Sequence, residues 1–189
     1  KNEEFLRLTD KPMGDVKDFR DYVGPMEDSW RNKPNGAIYG SKYTPNNEFD
    51  SDWQSFVVAN DFGDPTKGEI YTLHPDSRVL AINTGTEFDE LAKKYPLDVD
   101  VETYSYDMEM HNKYPDRYAP PQKRLSYVKL AKDYDHIYFP TPYNRKDSVQ
   151  DYKYNNRPVL DTSQIITLND YLPDGKTPTR VLQREYKPR

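Results

Sequence analysis

The residue types that carry most enzymatic chemistry are present in this chain, but they form no established catalytic motif. The three histidines, His74, His111 and His136, lie far apart, and none has a second histidine three or four positions away. A histidine pair at that spacing on a helix would bind zinc, so we interpret each histidine as exposed or structural. The chain has no cysteine, which excludes disulfides and thiolate sites. Phosphate-loop, GxGxxG, GxSxG and HExxH motifs are also absent.

One run of carboxylates offers metal chemistry. In DVDVE, the side chains of Asp98, Asp100 and Glu102 would share one face if the segment were a strand. Such a ladder of oxygen ligands could take Ca²⁺ or Mg²⁺ and support a metal-dependent hydrolase. A solvated strand edge is the favoured interpretation, because the glycine and the Asn/Asp spacing of an EF-hand loop are missing. We therefore predict no metal site.

Composition limits the partners. Hydrophobic residues make up 34% of the 189 positions, a count that includes 17 tyrosines, so the core must use aromatic side chains. The net charge of −5 and the lack of a Lys/Arg cluster argue against nucleic acid and anionic membranes. No apolar run approaches the roughly 18 residues that span a bilayer, so a soluble protein is expected. The compartment stays open, since residues that preceded Lys1 could have carried a targeting signal.

The strongest strand signal lies in residues 68–84. Apolar residues alternate up to a turn at Pro75-Asp76, and a second run follows it, which predicts a β-hairpin. Consecutive Val79 and Leu80 indicate that the second strand lies inside a sheet. Further strands are predicted at 5–8, 37–39, 136–139 and 163–169, and TRVLQREY predicts an edge strand.

Four short helices are predicted between the strands. Their positions are 16–23, 51–60 with Ser51 and Gln54 as a capping pair, a segment around Phe88 to Ala92, and a segment beginning at Pro121. Two polar stretches, at about 97–121 and 140–159, are predicted to be irregular excursions. The order of elements predicts a single α+β domain over residues 1–189, with mainly antiparallel central sheets arranged as a split β-sandwich.

Several stretches, taken in order, resemble the ADP-ribosyltransferase fold, particularly its divergent bacterial and phage members. LRLTD resembles the first strand with Arg7 at its arginine, IYGSKYT resembles the strand of the serine motif with Ser41 at its serine, and SDWQSF resembles the helix that follows. GEIYTLHPDSRVLAI is similar to a hairpin of that fold, and YDHIYFP and DTSQIITLN to its late strand pair. The resemblance covers most of the chain outside the two excursions.

The resemblance implies a cleft that binds NAD, with Arg7 contacting a phosphate and Ser41 shaping the nicotinamide pocket. It also implies that Tyr39 is a binding residue and that Trp53 or Phe56 lies near the pocket wall. Active members carry a glutamate that stabilises an oxocarbenium-like transition state. Gln164 stands at that place here and has no negative charge, so impaired catalysis is expected unless Asp161 substitutes for it.

A second hypothesis from composition is a non-catalytic structural or interaction module of a larger assembly, such as a phage virion. Tyrosines alternate along the polar segments 100–121 and 140–158 and could contact a neighbouring protein or pack on their own domain. The transferase hypothesis makes two structural predictions. A groove should lie between strands 37–40 and 164–168 with Arg7 at its edge, and Leu6, Ile38, Ile137 and Ile165 should form one cluster against residues 68–84.

Overall fold

The computed structural model describes residues 3–9, 16, 19–23, 33–46, 48–116, 118, 120–121, 124–140 and 162–188. The strands found there are β1 (Glu4–Leu8), β2 (Ile38–Lys42), β3 (Gly68–Leu73), β4 (Val79–Ala81), β5 (Pro96–Leu97), β6 (Arg124–Leu125), β7 (His136–Phe139), β8 (Gln164–Thr167) and β9 (Arg180–Tyr186). The helices are α1 (Asp52–Asn60), α2 (Gly85–Lys94), α3 (Val101–Lys113) and α4 (Tyr127–Leu130). The α+β class is confirmed.

Seven of these strands form one sheet in the order β4-β7-β8-β2-β1-β3-β9, and β5 and β6 form a small second sheet. Every pairing is antiparallel except β4 with β7, which is parallel. The mainly antiparallel character is therefore confirmed, as are an interior β8 and an edge β9. The expected excursion at 140–159 lies outside the described residues apart from Pro140.

The central strand β2 divides its pairing between two neighbours. Its first three residues pair with β8, from Ile38↔Thr167 to Gly40↔Ile165. Its last two pair with β1, as Leu6↔Ser41 and Phe5↔Lys42. A continued ladder would bring Arg7 opposite Gly40, but the pairing of these two described strands stops before that point. The seven-stranded sheet is continuous, and β1 and β2 separate along part of their length within it.

Residues 68–84 do not form the predicted hairpin. β3 pairs with β1 and β9, whereas β4 pairs with β7 at the opposite end of the sheet. The turn itself exists, since the Ser77 backbone N–H donates to the His74 carbonyl. Because β4 is an edge strand and Val79 is 41% exposed, its predicted inner position is also wrong. A local turn signal does not decide which strand becomes the partner.

Two predicted helices are confirmed by their caps. Ser51 accepts from the Gln54 backbone N–H at the start of α1, and Thr84 accepts from the Glu87 N–H at the start of α2. The predicted helix at 16–23 is wrong, because its described residues are not helical and Arg20 forms an antiparallel bridge with Asn35. The helix predicted from Pro121 begins only at Tyr127, since Arg124–Leu125 is taken up by β6.

The first excursion contains the longest described helix, α3, so its prediction as irregular is wrong. Asp100 caps α3 by accepting from the Thr103 backbone N–H at 2.7 Å. Hydrogen bonds from Thr103 lower the Asp100 pKa, as expected for a carboxylate at a helix N-terminus. Asp98, Asp100 and Glu102 therefore do not share a strand face, and the proposed carboxylate ladder is not formed.

Among the described residues, the core consists of three clusters rather than one. The largest packs α2 and α4 against one end of the sheet and includes Ile137, whereas Leu6 and Ile165 belong to two separate small clusters. Ile38 is buried but belongs to none of them. The prediction of a single cluster is wrong because successive strand residues point to opposite faces of the sheet. This result counts against the transferase hypothesis that made the prediction.

A buried histidine links β7 to β8. The His136 side chain is fully buried, with Nδ1 2.9 Å from Thr167 Oγ1 and Nε2 3.2 Å from the Thr179 carbonyl oxygen. Burial lowers the pKa of His136 to about 4, because the cationic ring would lose its hydration. Protonation of the ring therefore requires either unfolding or the free-energy cost of a buried cation.

We expect this histidine to make the protein less stable as pH falls. The pKa of this histidine is near 6.5 in the unfolded chain and about 4 in the folded protein, so between these two pH values the unfolded chain binds more protons. The neutral ring therefore makes its full contribution to the free energy of unfolding above pH 6.5, and this contribution decreases as the pH falls toward 4. At pH 4 the free energy of unfolding should be about 3 kcal/mol lower than at pH 7 because of this group. Urea unfolding between pH 7 and pH 4 measures it, and the His136→Gln variant should lose this part of the pH dependence. Equal slopes for both proteins would contradict the assignment, and His74→Gln is the matched control.

Candidate functional site

A cleft of about 390 Å³ opens where β1 and β2 separate. Residues of three strands and one helix line it, together with two residues that precede β2. The lining residues are Leu6, Arg7, Leu8, Lys33, Ala37, Tyr39, Gly40, Ser41, Trp53 and Gln164. The groove predicted between residues 37–40 and 164–168 is not found, because β2 and β8 pair directly. The cleft lies instead between β1 and β2, with Arg7 and Gln164 in its lining.

Five of the residues singled out in the sequence lie on this cleft, namely Arg7, Tyr39, Ser41, Trp53 and Gln164. They come together because β8, β2 and β1 are adjacent in the sheet and α1 follows β2 in the chain. Phe56 is not part of the lining and instead stacks on Trp53, with the ring centroids 5.1 Å apart. Asp161 lies outside the described residues. Sequence reasoning missed Lys33, which belongs to no recognisable motif.

The described lining of the cleft is positively charged. Arg7 and Lys33 contribute cationic side chains, and none of the described lining residues is Asp or Glu. Arg7 Nη1 is buried and has no hydrogen-bond partner within the described part of the chain. An unsatisfied guanidinium N–H is costly to bury, and an anion in the cleft would satisfy it.

Hydrogen bonds position the polar wall formed by β2 and β8. Ser41 Oγ lies 3.3 Å from Ser163 Oγ, and both side chains are buried. The Ser163 backbone N–H donates to Asp52 Oδ2 at 3.4 Å, which connects this wall to the first turn of α1. The Tyr39 hydroxyl donates to the Pro34 carbonyl at 2.5 Å and fixes the segment that precedes β2. Burial raises the Tyr39 pKa, so the phenol stays protonated.

Gly40 is required by the close approach of Tyr71. A Cβ atom at position 40 would collide with the Tyr71 hydroxyl, so a larger residue would displace either the ring or β2. The Tyr71 side chain is fully buried, its hydroxyl has no hydrogen-bond partner among the described residues, and burial raises its pKa. Tyr71 also packs on Phe5 with ring centroids 5.8 Å apart. The cleft thus lies beside a rigid aromatic cluster.

Other site types find no support in the described residues. Among them, no group of three His, Asp or Glu side chains is placed to hold a metal ion. No helix in this part of the chain is both long enough and apolar enough to cross a membrane.

Comparisons with known proteins add no identification. No protein-family model matches the chain, and no curated protein or solved structure is significantly similar to it.

Proposed function

We propose that this protein is an ADP-ribosyltransferase-like domain that binds NAD in the cleft between β1 and β2 and is impaired in transferring ADP-ribose. One observation carries the proposal. Residues chosen from the sequence because they resemble that fold's binding motifs lie on a single cleft, although they come from four separate elements. A chance resemblance of short motifs would not require that convergence.

The chemistry of the cleft suits a dinucleotide. Arg7 and Lys33 supply the positive charge that a diphosphate requires, and a planar guanidinium can bind two phosphate oxygens at once. Trp53 offers an aromatic face for a base or the nicotinamide ring. Ser41, whose Oγ lies 3.3 Å from Ser163 Oγ, supplies a buried hydroxyl to the lining. A volume of about 390 Å³ lies within the range of ligand pockets.

The same lining explains why catalysis would be weak. Cleavage of the bond between nicotinamide and ribose builds positive charge on the sugar, which a nearby carboxylate stabilises. Gln164 is neutral, and the described lining residues contribute two cations but no carboxylate. Arg7 and Lys33 would favour the diphosphate and give no help to a developing sugar cation.

Binding of NAD to the Arg7→Gln variant tests the proposal. We expect NAD to bind the native protein at submillimolar concentration and the variant about tenfold or more weakly, because a charge-assisted contact to phosphate is lost. Isothermal titration calorimetry measures both affinities. Arg184→Gln is the matched control, since Arg184 is half exposed and pairs with Glu4 on the surface. This variant should bind NAD with the affinity of the native protein. Absence of heat with millimolar NAD would contradict the proposal.

The second candidate is a non-catalytic interaction module of a larger assembly. It is favoured by exposed residues of α3 and of its C-cap, where Val101, Tyr104 and Tyr114 present apolar and aromatic surface within the segment 100–121. Tyr118 of the same segment is buried and belongs to the protein's own packing. Light scattering separates the candidates, because an interaction module should assemble further with its partner or with itself, whereas an NAD-binding domain has no such requirement.

A further inference from the structure

Three aromatic rings form a surface cluster at α1, which we name the α1 aromatic cluster and define as Trp53, Phe56 and Phe62. Trp53 and Phe56 are stacked, and Phe62 lies 5.8 Å from Phe56 and 6.3 Å from Trp53 between ring centroids. Phe62 is 64% exposed, and the other two rings are half-buried. This much exposed aromatic surface on one helix side suits contact with another molecule.

The backbone fixes the exposed ring in place. Asp61 ends α1 in the left-handed conformation, with φ of 52°, and the Phe62 N–H donates to the Val57 carbonyl at 2.9 Å. This pattern is a Schellman motif, in which the residue after the left-handed position contacts the last turn of the helix. The Phe56–Phe62 contact is that interaction. The motif explains why Phe62 touches the helix, but it leaves most of the Phe62 ring in solvent.

Three aspartates lie close to the cluster along the chain. Asp52 is one helical turn before Phe56, and Asp61 and Asp64 lie on either side of Phe62 in the sequence. Asp52 Oδ2 also accepts from the Ser163 backbone N–H, and Asp64 accepts from Thr66. All three aspartates are exposed, and α1 has no basic residue in its last turn. Lys67 interacts electrostatically with Asp64. The surface therefore combines aromatic faces with net negative charge.

We propose that the α1 aromatic cluster and its acidic rim form a docking site for an arginine-containing segment of a partner protein. A guanidinium group stacks on aromatic faces and pairs with carboxylates at the same time, which lysine does less well. The inference goes beyond NAD binding and does not depend on it.

Charge also distinguishes this occupant from other candidates. A second copy of the chain would place one acidic rim against another in a face-to-face contact, and like charges oppose that arrangement. The chain as a whole carries a net charge of −5, so anionic lipids and nucleic acids are repelled as well.

Peptide titration tests the proposal. The probes are three capped peptides of four Gly-Arg, Gly-Lys or Gly-Glu repeats. The readout is Trp53 fluorescence in a Trp30→Phe background, because the chain has two tryptophans. We expect a saturable change with the arginine peptide at submillimolar concentration, binding at least about twofold weaker with lysine, and none with glutamate. Equal responses to the arginine and glutamate peptides would overturn the proposal.

Matched variants locate the binding. Phe62→Ser and Asp61→Asn should each weaken binding of the arginine peptide about two- to fivefold. Asparagine is chosen at position 61 because it tolerates the left-handed backbone conformation there. Val58→Ser changes another exposed apolar residue, which lies on the opposite side of α1, and should leave the affinity unchanged. Unaltered circular dichroism spectra establish that the variants fold. Unchanged binding by Phe62→Ser would overturn the proposal, and so would sedimentation showing that the cluster variants alter self-association instead.

Discussion

Replacing Gln164 with glutamate is expected to raise the rate at which the protein cleaves NAD by about a hundredfold or more. The substitution keeps the length and shape of the side chain and adds one negative charge to a cleft whose described lining has none. Preorganised electrostatic groups directed at the charge that develops in a transition state commonly change rates by roughly this factor. The gain should appear in kcat more than in KM, because the carboxylate interacts with the sugar cation and less with bound NAD.

Release of nicotinamide, followed by chromatography, measures this rate. Gln164→Leu is the control, since it removes the amide without adding charge and should leave cleavage at the native level. Combining Gln164→Glu with Arg7→Gln should reduce the gain about tenfold at low NAD concentration, because the dinucleotide then binds about tenfold more weakly. If Gln164→Glu binds NAD as the native protein does but releases no more nicotinamide, position 164 does not face the reacting bond, and NAD binding itself would still stand.

Replacing Asp107 with alanine is expected to destabilise the protein by about 3–5 kcal/mol. Arg124 Nη2 donates to Asp107 Oδ2 at 2.7 Å, and the two side chains are only 2% and 6% exposed. The pair joins α3 to β6, far along the chain from the strands that form the cleft. Arginine stays protonated under all ordinary conditions, so the variant keeps a buried cation after losing this anionic partner.

Urea unfolding at neutral pH measures the loss. A second ion pair on α3 provides the comparison, because Lys113 and Glu109 lie one helical turn apart and are both more than half exposed. Glu109→Ala should lose much less than Asp107→Ala, since water screens that pair. Asp107→Asn keeps one acceptor oxygen and should fall between the two. A loss below about 1 kcal/mol for Asp107→Ala would show that the other contacts of Arg124 suffice.

The elements that were predicted correctly have strong local signals. Ser51 and Thr84 are N-cap residues that predict the starts of α1 and α2, and alternating apolar residues predict most strands. The missed helix α3 buries Thr103 and Asp107, a polar stripe at helical spacing, so a search for apolar periodicity could not detect it. Alternation of valines and tyrosines in DVDVETYSY made the segment look like a strand.

Partner choice between strands was not predictable in the same way. The 68–84 segment contains two strands and a turn, yet these strands do not pair with each other. β3 pairs with β1 and β9, and β4 pairs with β7. The cleft was predicted more fully than the sheet, since the resemblance supplied Arg7, Ser41 and Gln164 together. Lys33 carried no signal, because its place in the lining follows from the path of the chain before β2.

The position of β3 between β1 and β9 has a consequence for synthesis of the chain on the ribosome. The other end of the sheet, β4, β7 and β8, is built from residues 79–167 and can associate as soon as these have been translated. β3 instead keeps an open edge until Arg180–Tyr186 arrive to cover it. An unpaired strand edge is a template for aggregation, so a nascent chain stalled before β9 would be the species most in need of a chaperone.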